Sequence, residues 1–371
     1  GGTRTISLPS SSIIGLCDTF TPGLLGGGTA KAGELKLITS EREAIAAWGA
    51  GSAMAKAAAA IYVRAKAVIV GVGVPKLEDA ALQTSAMIGG VLASGQRTGL
   101  QALLDGKSVH NAQPKLLIAP GHSATQAVAT AMDALAGKLR AIAIVDGPNT
   151  TDEAVMAYAE NFGSKRIYLV DPGVQFWDTV LSAAVDAPAS AWVAGLFAWT
   201  DANYGYWASP SNKEFVGITG TTRPIEYLDG DETCRANLLN GANIATIIRD
   251  GGYRLWGNRT CSSDAKWAFV TRVRTCDILM DAIQAGHKWA VDRSITKTYV
   301  KEVTEGLDAF MRDQKNAGAI INFEVFADTE LNTASQIEQG KVYWRIRFTD
   351  VPPAENPNFL IEVTNQWLTE V

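Results

Sequence analysis

Cysteine is sparse in this chain of 371 residues: Cys17, Cys234, Cys261 and Cys276 are the only four, and no two are closely spaced. The spacing excludes a zinc knuckle and a redox pair, and free thiols in a reducing compartment are the expectation. Histidine is sparser still, with His110, His122 and His287, too few for a histidine-rich metal site. No apolar run is long enough to span a bilayer, and no basic-then-apolar leader opens the sequence. An excess of one charge is also missing. Lys and Arg total 33 against 38 Asp and Glu, a net charge of −5, without the basic field of a nucleic-acid binder. The expectation is no metal, no cofactor, no nucleic-acid partner and no direct membrane insertion.

Apolar residues make up 47% of the chain, enough for a sizeable core and two domains. Four continuously apolar runs, Val68–Val72, Leu116–Ala119, Ile142–Val145 and Ile167–Val170, read as strands covered on both faces. Helical stretches are predicted between and after them, at Glu78–Ala93, Ser123–Leu139, Thr151–Phe162 and Pro188–Trp199. Thr151 is the expected N-cap of its helix, with Asp152 and Glu153 in the first turn. This alternation predicts a parallel α/β layer. Residues 203–230, rich in Gly, Ser, Thr, Pro and aromatics, read as a connection between domains.

Beyond that connection the pattern changes. In Asn243–Arg249, Ile244, Thr246 and Ile248 point one way and Ala245, Ile247 and Arg249 the other. The turn Asp250-Gly251-Gly252 then predicts a hairpin. Ile278, Leu279, Ala282, Ile283 and Trp289 line one helix face; Val303, Leu307, Phe310 and Met311 line another, in Lys301–Lys315. Lys341–Phe348 alternates strictly, with Val342, Trp344, Ile346 and Phe348 on one side, and Ala319–Phe326 is its expected partner. Strands and helices without a βαβ rhythm indicate an α+β unit. Both ends alternate as well, Thr3–Leu8 and Phe359–Leu368. Each reads either as an edge strand of its own subunit or as an arm donated to a neighbour's sheet.

Three segments imitate catalytic motifs. Gly121-His122-Ser123-Ala124-Thr125 follows a strand and precedes a helix, with Asp146 and Asp171 at later strand ends. The fifth position is Thr125 where a nucleophile elbow needs glycine, so Ser123 is expected to be a helix N-cap. Gly106-Lys107-Ser108 lacks the earlier glycine of a phosphate loop, which falls on Gln101. Gly71-Val72-Gly73 has Lys76 where a dinucleotide fingerprint needs its third glycine. No catalytic residue is assigned; the weighed alternative is a subtilisin-like or other α/β serine hydrolase.

The stretch Gly252–Asp264, Gly-Tyr-Arg-Leu-Trp-Gly-Asn-Arg-Thr-Cys-Ser-Ser-Asp, together with Arg97–Leu103, Ala119–His122, Leu228–Thr233, His287–Asp292, Thr349–Asn356 and Thr364–Leu368, resembles the tail sheath proteins of contractile phages. The nearest likeness is to sheaths of R-type pyocins, or tailocins, and related temperate myophages. These blocks and Gly1–Ile6 are collinear over nearly the whole chain. The resemblance implies further residues ahead of Gly1. It implies an outer α/β domain with a subtilisin-like parallel sheet, inserted into an inner α+β domain, with extended terminal strand arms. The expected divisions are 1–20, the N-terminal arm and start of the inner domain; 21–224, the outer domain; 225–357, the inner, tube-facing domain; and 358–371, the C-terminal arm. It further implies a structural subunit, not an enzyme, that polymerises helically around a tail tube and contracts to drive the tube through a cell envelope. Its partners would be copies of itself, the tail tube protein, and baseplate and tail-terminator proteins, in a virion or tailocin particle assembled in the bacterial cytoplasm. A sheath of a type VI secretion or extracellular injection system is the related alternative. Neighbouring subunits would meet Thr3, Arg4, Thr5, Ile6 and Leu8 of the first arm and Phe359, Ile361, Val363, Trp367 and Leu368 of the last. Some of Lys297, Lys301, Arg312 and Lys315 would face acidic groups of the tube.

Overall fold

The computed structural model describes residues 6–23, 28–179 and 181–368. In chain order its strands are β1 (Ile14–Phe20), β2 (Leu35–Ile38), β3 (Ile69–Pro75), β4 (Leu116–Ile118), β5 (Ile142–Asp146), β6 (Ile167–Val170) and β7 (Val174–Asp178). They continue with β8 (Ala183–Ala187), β9 (Ile218–Thr221), β10 (Ile244–Arg249), β11 (Tyr253–Trp256), β12 (Ile320–Ala327) and β13 (Trp344–Asp350). Eight of them form one sheet in the order β11-β10-β6-β5-β4-β1-β3-β2. The six inner strands are parallel. The two edge strands, β2 and β11, are antiparallel to their neighbours.

The apolar runs are continuous because both faces of this sheet are covered. Leu116, Ile118, Ile142, Ile144, Tyr168 and Val170 point into one core, whereas Leu117, Ala143, Val145, Ile167 and Leu169 point into the other. Helices Glu41–Trp48, Ala53–Tyr62 and Ser190–Tyr204 cover the first face. Ala80–Ile88, Gln126–Leu139, Asp152–Ala159 and Arg235–Gly241 cover the second. Thr151 caps its helix as expected, accepting from the Ala154 amide at 3.1 Å. On β3 two glycines admit aromatic rings to the sheet: a Cβ at Gly71 would lie 2.5 Å from Trp48 Cη2, and one at Gly73 2.6 Å from Phe20.

The sheet crosses both expected divisions. β1, which the resemblance assigned to the N-terminal arm and start of the inner domain, is an inner strand between β4 and β3, and β10 and β11 lie beyond residue 225. Residues 203–230 are likewise more than a connection, since they contain β9. It pairs with β7, which also pairs with β8, in a separate three-stranded antiparallel sheet. The predicted hairpin is present, with Thr246 opposite Trp256 and Ile248 opposite Arg254.

The C-terminal unit holds helices Val270–Gly286 and Lys297–Asn316 against the β12–β13 pair. Phe323 faces Phe348 and Val325 faces Ile346 in the antiparallel register. Their side chains pack toward Val303, Leu307, Phe310 and Met311, the predicted helix face.

Helix Val270–Gly286 joins this unit to the α/β body. Val270 and Val273 enter the core of the large sheet, whereas Ile278, Leu279 and Ala282 enter the C-terminal core. Between them runs a row of ion pairs. Arg274 donates to Asp201 at 2.8 Å and to the Ser11 carbonyl at 3.0 Å. Asp277 accepts from Arg166 at 3.0 Å. Asp281 accepts from Arg140 at 2.8 Å and is paired with Lys115. Arg272 reaches Asp350 at 2.9 Å. Burial pushes Asp277 above the usual carboxylate range against the pull of Arg166, and pushes Lys115 below the usual lysine range against the pull of Asp281. Arg274 and Asp201 are each only 4% exposed, so removing one leaves an uncompensated buried charge. We expect Arg274→Met to cost about 3–5 kcal/mol, and the double variant with Asp201→Leu to recover much of it. Urea denaturation of the three proteins checks this; equal losses in single and double variants would contradict it.

Candidate assembly surfaces

The hydrolase-like constellation is dismantled by its own hydrogen bonds. Ser123 is wholly buried and does not cap a helix; the helix begins at Gln126 with Thr125 before it. The Ser123 hydroxyl accepts from the Asp146 amide at 2.9 Å and donates to the Asp146 carboxylate at 3.2 Å. That carboxylate also accepts from the Ser190 amide at 2.8 Å and the Ser190 hydroxyl at 2.6 Å. Asp146 therefore serves the N-terminus of helix Ser190–Tyr204, whose neighbour Ala189 has no capping side chain. His122 points elsewhere, with Nε2 3.3 Å from Asp18. Asp171 is held by the Asn149 amide at 2.7 Å and by Arg223 at 2.6 Å, and Arg223 also holds Asp152. A cleft of about 260 Å³ opens at these strand ends, but neither Ser123 nor His122 lines it. His122 makes no hydrogen bond to Ser123 among the described residues, and the carboxylate that does reach the Ser123 hydroxyl is buried with it. Gly106-Lys107-Ser108 lies within the turn of helix Gly106–His110, and Gly71 and Gly73 lie inside β3. Among the described residues no group of His, Cys, Asp and Glu could hold a metal, and no helix is long and apolar enough to cross a membrane.

Burial raises Asp146 to about 6. Its folded value lies above the ordinary carboxylate value, so the folded state takes up its proton first, and this group adds stability as pH falls from about 7 toward 4. We expect the stability of wild type over Asp146→Asn to grow over that range, on the order of 2 kcal/mol. Paired urea titrations at each pH measure it; a constant difference would contradict the assignment. Ser123→Ala strands the buried Asp146 amide and should cost about 1–3 kcal/mol, while the wild-type protein stays unlabelled by a fluorophosphonate. Both follow from thermal melting and a labelling gel.

Exposed apolar chain is concentrated at the C-terminus. After β13 the backbone makes no strand pairing through Asn365. Phe359 is 85% exposed, Leu360 100%, Ile361 91% and Val363 95%; Trp367 and Leu368 are also exposed. The segment is therefore not an edge strand of its own subunit. It is tied down at Glu355, which pairs with Arg259 at 2.9 Å. At the other end, Thr3, Arg4 and Thr5 lie outside the described residues. Ile6 is partly buried, packing where a Cβ at Gly286 would meet it at 2.7 Å, and Leu8 is exposed.

Among the described residues the β12–β13 pair has no third strand, so the outer edge of each is unpaired. Behind it, Lys297, Lys301, Arg312 and Lys315 are all exposed on one helix. At 100° per residue they fall within about 60° of arc. Acids interleave with them: Lys301 is 3.7 Å from Glu305, and Arg312 is paired with Asp308. Lys315 donates to Asn322 of β12 at 3.0 Å. The cations predicted by sequence thus share a stripe, and two of the four are already paired with carboxylates along it.

The described residues thus form an α/β body, an ion-paired second unit and an exposed apolar tail. Family comparison gives the class a name. Residues 95–261 match the phage tail sheath protein central domain and 262–364 match the phage tail sheath C-terminal domain. The chain is 73% identical over 370 residues to a protein assigned as a prophage major tail sheath protein in Pseudomonas aeruginosa (strain UCBPP-PA14), covering 100% of this chain and 95% of that one. It is 33% identical to the tail sheath protein of Escherichia phage P2, covering 100% and 94%. The fold matches the anti-feeding prophage sheath in its contracted state at a TM-score of 0.74, with 20% identity over 98% of this chain and 96% of that one. It matches the contracted sheath of an extracellular contractile injection system, PVC, at 0.71, with 17% identity over 99% and 95%. The chain belongs to the phage tail sheath family.

Proposed function

We propose that this tail sheath subunit polymerises helically around a tail tube and contracts to drive the tube through a cell envelope, without enzymatic chemistry. The observation that carries the reading is the C-terminal segment, whose alternating apolar side chains Phe359, Ile361 and Val363 are almost fully exposed while its backbone pairs with no strand among the described residues. Such a strand gains both hydrogen bonds and burial only on another sheet edge. The open edges of β12 and β13 in a neighbouring copy supply that chemistry. Because donor and acceptor differ, the contact is heterologous and propagates instead of closing into a dimer. The N-terminal arm is a second donor in this scheme.

The large-sheet body forms the outer, subtilisin-like part, and the unit from Val270 onward faces the tube. The ionic row along helix Val270–Gly286 supports motion of each subunit as a rigid body, while the arms keep the array connected as it shortens and widens. The extended array stores free energy behind a kinetic barrier that a baseplate trigger removes. Baseplate, tail-terminator and tube proteins complete the particle, a virion or a tailocin assembled in the bacterial cytoplasm.

Deletion of residues 358–371 should leave a folded subunit that no longer polymerises, as read by circular dichroism and light scattering. Normal polymers would defeat the strand-exchange reading. Reversing Lys297, Lys301, Arg312 and Lys315 together should reduce assembly on tubes and spare the monomer fold. Exposed pairs contribute only about 0–1 kcal/mol each, so single reversals should have little effect. Unchanged tube decoration by the fourfold variant, seen by electron microscopy, would place the tube contact elsewhere.

A further inference from the structure

One surface of the α/β body takes no part in the contacts described above. The Arg64 guanidinium lies 3.7 Å from the ring centroid of Trp199, Trp199 meets Tyr204 edge-on at 5.7 Å, and the Lys213 ammonium lies 4.5 Å from the Tyr204 centroid. A Cβ at Gly217 would sit 2.8 Å from Val63, so Val63 and Val216 continue the same patch. Tyr204 is 53% exposed and both valines are exposed. Among the described residues neither Arg64 nor Lys213 has a carboxylate partner, and the Arg64 Nε is buried without an acceptor. Two cations are held in place by rings but not neutralised. Aromatic and arginine side chains so arranged, with apolar neighbours, fit an acidic segment carrying an apolar anchor.

The chain carries such a segment. Leu228-Asp229-Gly230-Asp231-Glu232 turns at Gly230, whose φ of 78° favours glycine. Leu228 is 55% exposed and Leu238 beside the loop 52%. Asp229 accepts from the Tyr227 hydroxyl and Asp231 from the Thr233 amide at 2.8 Å; no lysine or arginine pairs with Asp229, Asp231 or Glu232 among the described residues. The loop cannot reach the patch on its own subunit. Ile225 and Tyr227 pack into the core on one face of the large sheet, whereas Trp199 and Phe215 pack on the other.

We propose that the Arg64–Trp199–Tyr204–Lys213 patch of one copy receives the Leu228–Glu232 loop of a second copy. Because the two surfaces lie on opposite faces of one sheet, the contact runs head to tail and adds a lateral link separate from the terminal arms. It rests on the proposed function only in that the chain assembles with itself.

The test is a charge exchange at Lys213 and Glu232, read by sedimentation of the purified protein at about 0.1 M salt, where exposed charges still act over roughly 10 Å. Lys213→Glu alone and Glu232→Lys alone should each raise the concentration at which polymers pellet by roughly tenfold. The double variant should return to within a few-fold of wild type, with unchanged circular dichroism throughout. Wild type that pellets while the single variants match it would overturn the proposal and leave the sheath reading standing. Losses that add without rescue would mean that the patch serves another acidic partner, which also overturns it. Wild type that never pellets, under conditions where residues 358–371 are present, would count against self-assembly itself and against this contact with it.

Discussion

The row of buried charges along helix Val270–Gly286 sets how the two units sit. Arg274, Asp277 and Asp281 face Asp201, Arg166 and the Lys115–Arg140 pair in turn. Desolvation offsets much of what such pairs gain, so their contribution is greatest in choosing one arrangement over its neighbours. Sliding the helix by one turn would bring Asp277 toward Asp201 or Arg274 toward Arg166, like charge against like. A purely apolar seam would penalise that slip far less. The valines at one end of the helix and the Ile278–Ala282 face at the other then fix the α/β body and the C-terminal unit to one rod.

Much of the architecture was legible because its strands are buried on both faces. Runs such as Ile142–Val145 and Ile167–Val170 carry no polar interruption, and the structure places strands at both. β1 was obscured because Asp18 and Thr19 break its apolar run; Asp18 is tolerated inside because His122 and the Thr19 amide meet its carboxylate. The β7–β8–β9 sheet was missed for a different reason. Its strands are short, carry Gln175, Asp178, Thr219 and Asp186, and are half solvated, so neither periodicity nor hydropathy marks them. The divisions drawn from resemblance fell within a sheet because strand order does not follow chain order.

The serine at residue 123 shows a limit of motif reading. Sequence places a hydroxyl after a strand and before a helix, and N-capping is the ordinary inference. The chain instead inserts Ala124 and Thr125 before the helix, turning the hydroxyl inward to Asp146, twenty-three residues away. Asp146 in turn holds Ser190 of a third element. Ser123, Asp146 and Ser190 are occupied here in joining one helix to the sheet. Nothing in local spacing reports a partnership across such separations.

The ion pair between Arg259 and Glu355 has a consequence for reach. It brings the base of the C-terminal tail against the body, so while the pair is made the freely extending portion starts after Glu355 and not at the end of β13. From there to Leu368 an extended chain covers roughly 40 Å, stiffened near its base by Pro357. A neighbour holding the far end could therefore shift or turn by a large fraction of a domain width before the tail drew taut. Slack of that order separates two quantities that a rigid bond would couple: how firmly subunits are tied together, and how far they can travel while tied.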